Sequence, residues 1–178
     1  MKVVGVFGGS FSPFHEGHLN VADGVLKEGL VDEVWLMPCK RNPLKDGTTT
    51  YPDSDRLREI ESIAGRYNEE RGRQLLKVCR LELEMPEPSY TFRTLEELQK
   101  SNPEKEFRLI VGADSYRDFH KWRNHEWIQT NFRPIVYPRP GYEIKAVDPR
   151  WTLLRDAAEI DISSTEIRNR RQWKQKKN

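Results

Sequence analysis

The chain has 178 residues, a natural length for one domain with a hydrophobic core. Its 30 basic residues against 28 acidic residues leave a net charge of +2, which is too balanced for electrostatic binding of nucleic acid. Cys39 and Cys79 form no Cys-x-x-Cys pair, and the apolar N-terminal run is too short for a signal peptide. No apolar stretch is long enough to span a membrane. These features predict a soluble, cytoplasmic protein that binds neither membranes nor nucleic acid.

The first predicted elements are a buried strand, Val3–Phe7, and a helix with apolar residues at helical intervals from Leu19 to Leu30. The stretch between them, residues 8–18, is a tight turn in which His15 and His18 open the helix. Residues three apart share one helical face, so both imidazoles can point towards a ligand at the helix start. Unpaired N–H groups and the positive end of the helix dipole make that position an anion site. The pattern predicts phosphate binding.

The same turn is compatible with simpler roles. Gly8 and Gly9 let the backbone approach a ligand closely, but two glycines after a strand also fit a turn without a ligand. The histidine pair is also a candidate for metal binding, although a zinc site requires more ligands. The stretch is not a Walker loop, because no Gly-Lys-Ser/Thr ends it, and it is not Gly-x-Gly-x-x-Gly either.

Strand-like and helix-like segments alternate along the rest of the chain. The predicted strands are Val34–Met37, Leu76–Met85, Phe107–Val111 and Pro134–Tyr137. The predicted helices are one capped by Asp53 or Ser54, one over Thr91–Lys100, and one opened by Ser163 and Glu166. This alternation predicts an α/β fold, a Rossmann-like doubly wound sheet of about five to six mainly parallel strands with helices on both faces. No linker interrupts the pattern, so one domain spanning 1–178 is expected.

The predicted fold brings distant segments to one edge of the sheet. In open sheets of this kind, ligands bind beyond the carboxyl ends of the strands. Four residues follow predicted strands at that edge: Gly8, Pro38, Gly112 and Arg139. The loop over residues 38–52 is long for a compact domain, a length typical of functional loops, and it carries the cations Lys40, Arg41 and Lys45.

A second amide-rich helix start is predicted near the end of the sequence. Ser163 and Glu166 form a capping-box pattern, and Arg168 lies about one turn inside the helix. Such a helix start suits phosphate oxygens, and the Arg168 guanidinium can give them a forked hydrogen bond. The same pattern also fits a helix cap that binds no ligand.

From Gly8 onwards, the sequence Gly-Gly-Ser-Phe-x-Pro-x-His-x-Gly-His resembles the signature of the nucleotidyltransferases that share His-x-Gly-His with class I aminoacyl-tRNA synthetases. Further matches follow in order along the chain: residues 38–45, Pro88–Thr91 with Thr94 and Leu95, Gly112–Ser115, Trp122, Arg139–Tyr142 and Ile162–Arg168. Together they resemble the bacterial nicotinate-nucleotide adenylyltransferases. One departure is Ser12, where that family usually has aspartate or asparagine.

This resemblance implies an ATP-dependent enzyme of NAD biosynthesis. It implies transfer of AMP from ATP to nicotinate mononucleotide, giving deamido-NAD and pyrophosphate, with Mg²⁺ held mainly by the ATP phosphates. Two alternatives stay open: the same transfer to nicotinamide mononucleotide or another phosphorylated acceptor, and a nucleotide-binding protein of this fold without catalysis. The preference between acid and amide does not follow from the sequence, and homo-oligomer formation is left open.

The resemblance also implies which residues form the site. ATP is expected to contact Gly8, Gly9, Ser10, Phe11, His15, His18, Ile162, Ser163, Ser164, Thr165 and Arg168. The expected catalytic residues among these are His15, His18 and Arg168. The mononucleotide is expected to contact Lys45, Tyr90, Thr91, Phe92, Asp114, Trp122 and Arg139. In the family the Trp122 position stacks on the pyridine ring, whereas without the resemblance Trp122 fits a partly buried core position.

Overall fold

The computed structural model describes residues 1–11, 13–39, 53–86 and 90–155. The strands of its sheet are β1 (Lys2–Gly9), β2 (Glu33–Pro38), β3 (Leu76–Val78), β4 (Lys105–Gly112), β5 (Ile135–Tyr137) and β6 (Thr152–Leu153). The helices are α1 (Glu16–Lys27), α2 (Asp53–Arg71), α3 (Leu81–Glu84), α4 (Thr91–Ser101), α5 (Ala113–Arg117) and α6 (His125–Phe132), with a 3₁₀ turn over Phe119–Lys121.

The sheet is parallel throughout, with the strand order β3-β2-β1-β4-β5-β6. Its carboxyl ends are aligned, because Gly9 lies opposite Pro38 and Gly112 lies opposite Tyr137. The chain winds outward in one direction from β1 and in the other from β4, so the switch point of the sheet lies between these two strands. The predicted fold class, a doubly wound Rossmann-like sheet, is confirmed.

Helices cover both faces of this sheet, as the hydrophobic pattern requires. On one face, apolar side chains of α1 and α2, including Val25 and Ile60, pack with Leu36 of β2. On the other face, α4 and α6 contribute Leu95 and Ile128 to a second core cluster. The two faces are therefore buried independently, and the carboxyl edge of the sheet lies between the layers of helices.

The predicted strand over Leu76–Met85 is wrong beyond Val78. β3 pairs with β2 for three residues only, and α3 follows immediately. Since β2 ends at Pro38, which has no N–H group, the ladder that could extend β3 stops there. The alternation of glutamates with apolar residues therefore belongs to a short helix beside the sheet.

Two other details concern the start of α2 and the last strand. α2 already includes Asp53 and Ser54, and the residues just before it lie outside the described ones, so the predicted cap stays a prediction. β6 was not predicted, because two residues are too few to produce a hydrophobic pattern.

The predicted helix at Ser163 lies outside the described residues. Among the described helices, none combines the length and apolar character needed to cross a membrane.

Candidate active site

Two histidines form the start of α1. His15 is the N-cap residue, and its Nδ1 accepts a hydrogen bond from the Gly17 N–H at 3.0 Å. The Nδ1 of His18 accepts one from the His15 N–H at 3.1 Å. A neutral imidazole has one donor nitrogen and one acceptor nitrogen, so a ring that accepts through Nδ1 carries its proton on Nε2. Both rings therefore keep an Nε2–H group that can donate to a ligand.

Aromatic packing fixes the orientation of these rings. The His15 and His18 rings stack with centroids 3.9 Å apart, and Phe14 stacks on His18 with a centroid distance of 5.1 Å. The edges of Phe7 and Phe11 complete the surroundings of His18 at 6.0 and 5.0 Å. Because His18 lies inside this group of rings, its Nε2–H direction is set by the fold before any ligand binds.

Both histidines are neutral at physiological pH. The pKa of His18 is lowered from its ordinary value to about 3, mainly by burial and to a smaller extent by the neighbouring His15 and Arg139. Burial, followed by the charge of Arg139, also lowers the pKa of His15. The pair therefore presents oriented N–H dipoles and no charge of its own, and the positive charge near it comes from Arg139.

That arginine is placed by a tight turn after β5. The Tyr142 N–H donates to the Arg139 carbonyl at 3.1 Å, with Pro140 and Gly141 between them. Gly141 has a φ of +83°, which together with the preceding proline is the pattern of a type II turn. The turn directs the chain back and leaves the Arg139 side chain close enough to both histidines to lower their pKa values.

A close approach at the end of β4 brings Asp114 to the same edge. A Cβ atom on Gly112 would lie 2.6 Å from Asp114 Oδ1 and 3.0 Å from the Tyr137 hydroxyl, so a larger residue there would force one of these side chains to shift. Burial raises the pKa of Tyr137, and its hydroxyl interacts electrostatically with both Arg139 and Asp114. Tyr137 thus lies between a cation and an anion at the carboxyl ends of β4 and β5.

The glycine turn after β1 is held from behind by a buried arginine. The Arg56 Nη1 donates to the Ser10 carbonyl at 2.6 Å and to the Cys39 carbonyl at 2.8 Å. Phe11, the next residue of the turn, has a φ of 45°, which is rare for a residue with a side chain. Gly8, at the end of β1, has free space beside it, since a Cβ atom there would have only the Met37 carbonyl, at 3.8 Å, as a close neighbour.

A second group of predicted residues meets at the start of α4. The Arg123 guanidinium lies over the Tyr90 ring, 4.4 Å from its centroid, which joins the segment after the 3₁₀ turn to this helix start. Trp122 packs on Phe119 with a centroid distance of 4.6 Å. Tyr90 makes no side-chain cap, so within the described part of the chain the amides of the first α4 residues face no capping group.

The structure therefore brings together the following predicted residues at the carboxyl edge: Gly8, Gly9, Ser10, Phe11, His15, His18, Asp114 and Arg139. A separate group of predicted residues lies at the start of α4: Tyr90, Thr91, Phe92 and Trp122. This group is at the carboxyl edge too, because α4 runs from that edge towards the beginning of β4. The remaining predicted residues, Lys45, Ile162, Ser163, Ser164, Thr165 and Arg168, lie outside the described residues, as do Lys40 and Arg41.

Sequence reasoning missed several residues of this site. Arg56 lies on the buried face of α2, one turn before Ile60, and a charged residue at an apolar interval was the available signal. Tyr137 ends β5, and the sequence pattern predicts it only as part of a strand. Arg123 follows Trp122 directly, but nothing in the sequence indicates that its guanidinium packs on Tyr90.

The described side chains offer no protein cage for a metal ion. No group of three or more His, Cys, Asp or Glu residues suited to a metal is found in the part of the chain that the structure describes. The histidine pair is also poorly suited to Mg²⁺, which prefers oxygen ligands.

Comparison with known proteins first shows the broad family to which this chain is similar. Residues 6–170 match the family described as cytidylyltransferase-like. In solved structures, the fold is similar to Plasmodium falciparum nicotinic acid mononucleotide adenylyltransferase complexed with NaAD, with a TM-score of 0.73, 20% identity, and coverage of 95% of this chain and 83% of that one.

The curated relatives narrow the class. A probable nicotinate-nucleotide adenylyltransferase from Bacteroides thetaiotaomicron is 39% identical over 165 residues, which is 92% of this chain and 79% of the relative. One from Flavobacterium johnsoniae is 36% identical over 170 residues, covering 93% of this chain and 84% of the relative. The chain belongs to the nicotinate-nucleotide adenylyltransferase family, as its motifs predicted.

Proposed function

We propose that this chain transfers AMP from ATP to nicotinate mononucleotide, releasing pyrophosphate and forming deamido-NAD. The observation that carries the proposal is the pair of neutral Nε2–H imidazoles at the start of α1, next to the Arg139 cation. The family of the chain supports the same reaction, because its curated relatives are named for it.

The chemistry of this transfer explains the composition of the site. The attacking group is a phosphate monoester oxygen, whose second pKa is near 6, so it is already ionised at neutral pH and needs no general base. The barrier arises because two anions must meet while charge develops on the leaving pyrophosphate. Positioning and charge stabilisation therefore provide the catalysis. Oriented donors and an arginine suit that task.

In this proposal, each end of the triphosphate has its own donors. His15 and His18 donate through Nε2–H to the ATP phosphates, together with the amides of Ser10 and Phe11. The segment Ile162–Thr165 and the Arg168 side chain hold the β- and γ-phosphates. Mg²⁺ bound to the ATP phosphates would neutralise part of their charge.

The acceptor is proposed to lie at the start of α4, with the pyridine ring on Trp122 and the ribose or a basic side chain near Asp114. Lys45 and Arg139 are proposed for the mononucleotide phosphate. Two guanidiniums lie close to the Tyr90 ring, Arg123 at 4.4 Å and Arg93 at 5.4 Å. Neither has a carboxylate partner among the described residues, so both are available to attract the carboxylate of a nicotinate ring. This arrangement favours the acid over the amide.

The test is an acceptor panel. The purified full chain is incubated with ATP, Mg²⁺ and, in separate reactions, nicotinate mononucleotide, nicotinamide mononucleotide or phosphopantetheine, and released pyrophosphate is measured. We expect the highest kcat/KM with nicotinate mononucleotide and a dinucleotide product. Equal rates with both pyridine nucleotides would overturn the acid preference. ATP binding without pyrophosphate release on any acceptor would identify a nucleotide-binding protein that lacks turnover.

A further inference from the structure

Arg56 is a buried cation at the edge of the site to which the proposed reaction gives no role. It lies in the first turn of α2, and only 3% of its surface is exposed. Burying a charged group is costly unless it is hydrogen-bonded. The residues that continue its helical face, Ile60 and Ala64, are apolar core residues. Packing alone therefore does not account for an arginine at this position.

Two of its hydrogen bonds join Arg56 to segments that lie far apart in sequence. One Nη1 nitrogen donates to the carbonyl of Ser10, after β1, and to the carbonyl of Cys39, after β2. These segments also touch directly, because the Cys39 N–H donates to the Gly9 carbonyl at 2.9 Å. A single guanidinium thus connects α2 with the turns that follow two adjacent strands.

The contact with Ser10 controls the direction of an amide. The Ser10 carbonyl and the Phe11 N–H belong to one peptide group, and in a trans peptide they point in opposite directions. Fixing the carbonyl towards Arg56 therefore fixes the N–H away from it. A charged donor on the carbonyl also polarises the peptide and strengthens the N–H as a donor.

The conformation of Phe11 shows that this amide needs support. Its φ of 45° is unfavourable for a residue with a side chain, and such strain persists only when the surroundings hold it. The Phe11 ring supplies one anchor, since it is buried against Phe7 and His18. The hydrogen bond from Arg56 supplies the other, at the preceding peptide.

We propose that Arg56 is a positioning residue for adenylyl transfer: it aims the Phe11 N–H at the triphosphate and keeps the turn after β1 in register with the segment after β2. The inference rests on the proposed function, because it assumes that this turn receives ATP. It makes Arg56 act through the backbone, without contact with either substrate.

Arg108 provides a matched control. It is also a buried arginine, 8% exposed, and it donates to the carbonyl of Arg133 at 2.8 Å and to the Thr152 hydroxyl at 2.7 Å. Its contacts lie at the opposite edge of the sheet, where β5 and β6 begin. Replacing Arg108 removes a comparable network while leaving the turn after β1 intact.

The experiment compares Arg56→Gln, Arg56→Lys and Arg108→Gln with the wild-type chain. Thermal unfolding gives Tm, isothermal titration gives the Kd for ATP, and steady-state kinetics give kcat and KM for both substrates. Because displacing a binding group by a small distance is costly, we expect Arg56→Gln to lower kcat/KM for ATP about a hundredfold. Arg56→Lys keeps a cationic donor and should recover part of that loss. Arg108→Gln should lower Tm without changing kcat/KM.

The outcomes separate the inference from the proposed function. If Arg56→Gln keeps the wild-type kcat/KM and Kd for ATP, Arg56 has only a structural role. The same conclusion follows if Arg108→Gln lowers kcat/KM and weakens ATP binding as much as Arg56→Gln does. If Arg56→Gln does not fold, Arg56→Lys decides, since wild-type kinetics in a folded Lys variant would equally refute positioning. A wild-type chain that releases no pyrophosphate would count against the proposed function, while the Kd for ATP would still test the role of Arg56.

Discussion

The two nitrogens of His18 have separate tasks, and a pair of substitutions can separate them. Nδ1 accepts a hydrogen bond from the His15 N–H and supports the start of α1, whereas Nε2–H is proposed to donate to the ATP phosphates. An asparagine side chain places an oxygen near the Nδ1 position, so His18→Asn keeps the acceptor and removes the distal donor. A glutamine reaches the Nε2 position, so His18→Gln keeps a distal donor and removes the acceptor.

The expected magnitudes follow from these contacts. Losing a helix-capping acceptor costs about 1 kcal/mol of folding free energy. Losing one oriented donor to a developing negative charge costs about 3 kcal/mol in the transition state, which is about a hundredfold or more in kcat. His18→Asn should therefore unfold at nearly the wild-type urea concentration and yet turn over about a hundredfold more slowly. His18→Gln should be less stable and more active than His18→Asn.

The measurements are urea unfolding followed by circular dichroism, and pyrophosphate release at saturating ATP and acceptor. His18→Ala, which removes both groups, provides the reference with both defects. Wild-type turnover in His18→Asn would refute the role of Nε2–H. An Asn variant that is as unstable as the Ala variant would show that the acceptor at Nδ1 does not stabilise the helix start.

Three further predictions concern charge, close contact and acceptor choice. The pKa of His18 is about 3 in the folded chain against an ordinary 6.5, so the unfolded chain binds more protons between these values and stability falls as the pH drops through that window. The free energy of urea unfolding should therefore fall less from pH 7 to pH 5 in His18→Asn than in the wild-type chain. An equal fall in both chains would argue against a buried neutral ring. Gly112→Ala places a Cβ atom 2.6 Å from Asp114 Oδ1 and should cost about 1–3 kcal/mol of stability. Gly8→Ala, whose Cβ atom would lie 3.8 Å from its nearest neighbour, should keep wild-type stability and raise KM for ATP. If Gly8→Ala unfolded at a lower urea concentration than Gly112→Ala, the close packing at Gly112 would be contradicted. Arg123→Gln removes a cation near the α4 start and should reduce the ratio of kcat/KM for nicotinate over nicotinamide mononucleotide about tenfold, and an unchanged ratio would exclude this arginine from acceptor selection.

Local patterns predicted the part of the fold that carries the site. The apolar run of β1, the histidines at the start of α1 and the amphipathic spacing of α4 each depend on residues close in sequence, and each element was found where it was expected. The prediction failed after Val78, where the outcome depends on whether a neighbouring strand can continue the ladder. Pairing partners of that kind are set by the tertiary structure and leave no local signal.

The site was predictable in its parts and not in its arrangement. The family motifs predicted His15, His18 and Arg139, but the lowered pKa values of the two rings depend first on burial in the folded chain and then on a cation more than a hundred residues away in sequence. The contacts of Arg56 depend in the same way on two turns that the sheet brings together. Lys45, Arg168 and the segment Ile162–Thr165 stay predictions, because they lie outside the described residues.

The outermost strands of the sheet have a consequence for how copies of this chain can associate. β3 contributes three residues and is followed by α3, and β6 contributes two. So few unpaired backbone groups are a poor template for an added strand, which is how natural sheets avoid fibrous aggregation. Self-association by adding a strand to either rim is therefore disfavoured in the described part of the chain.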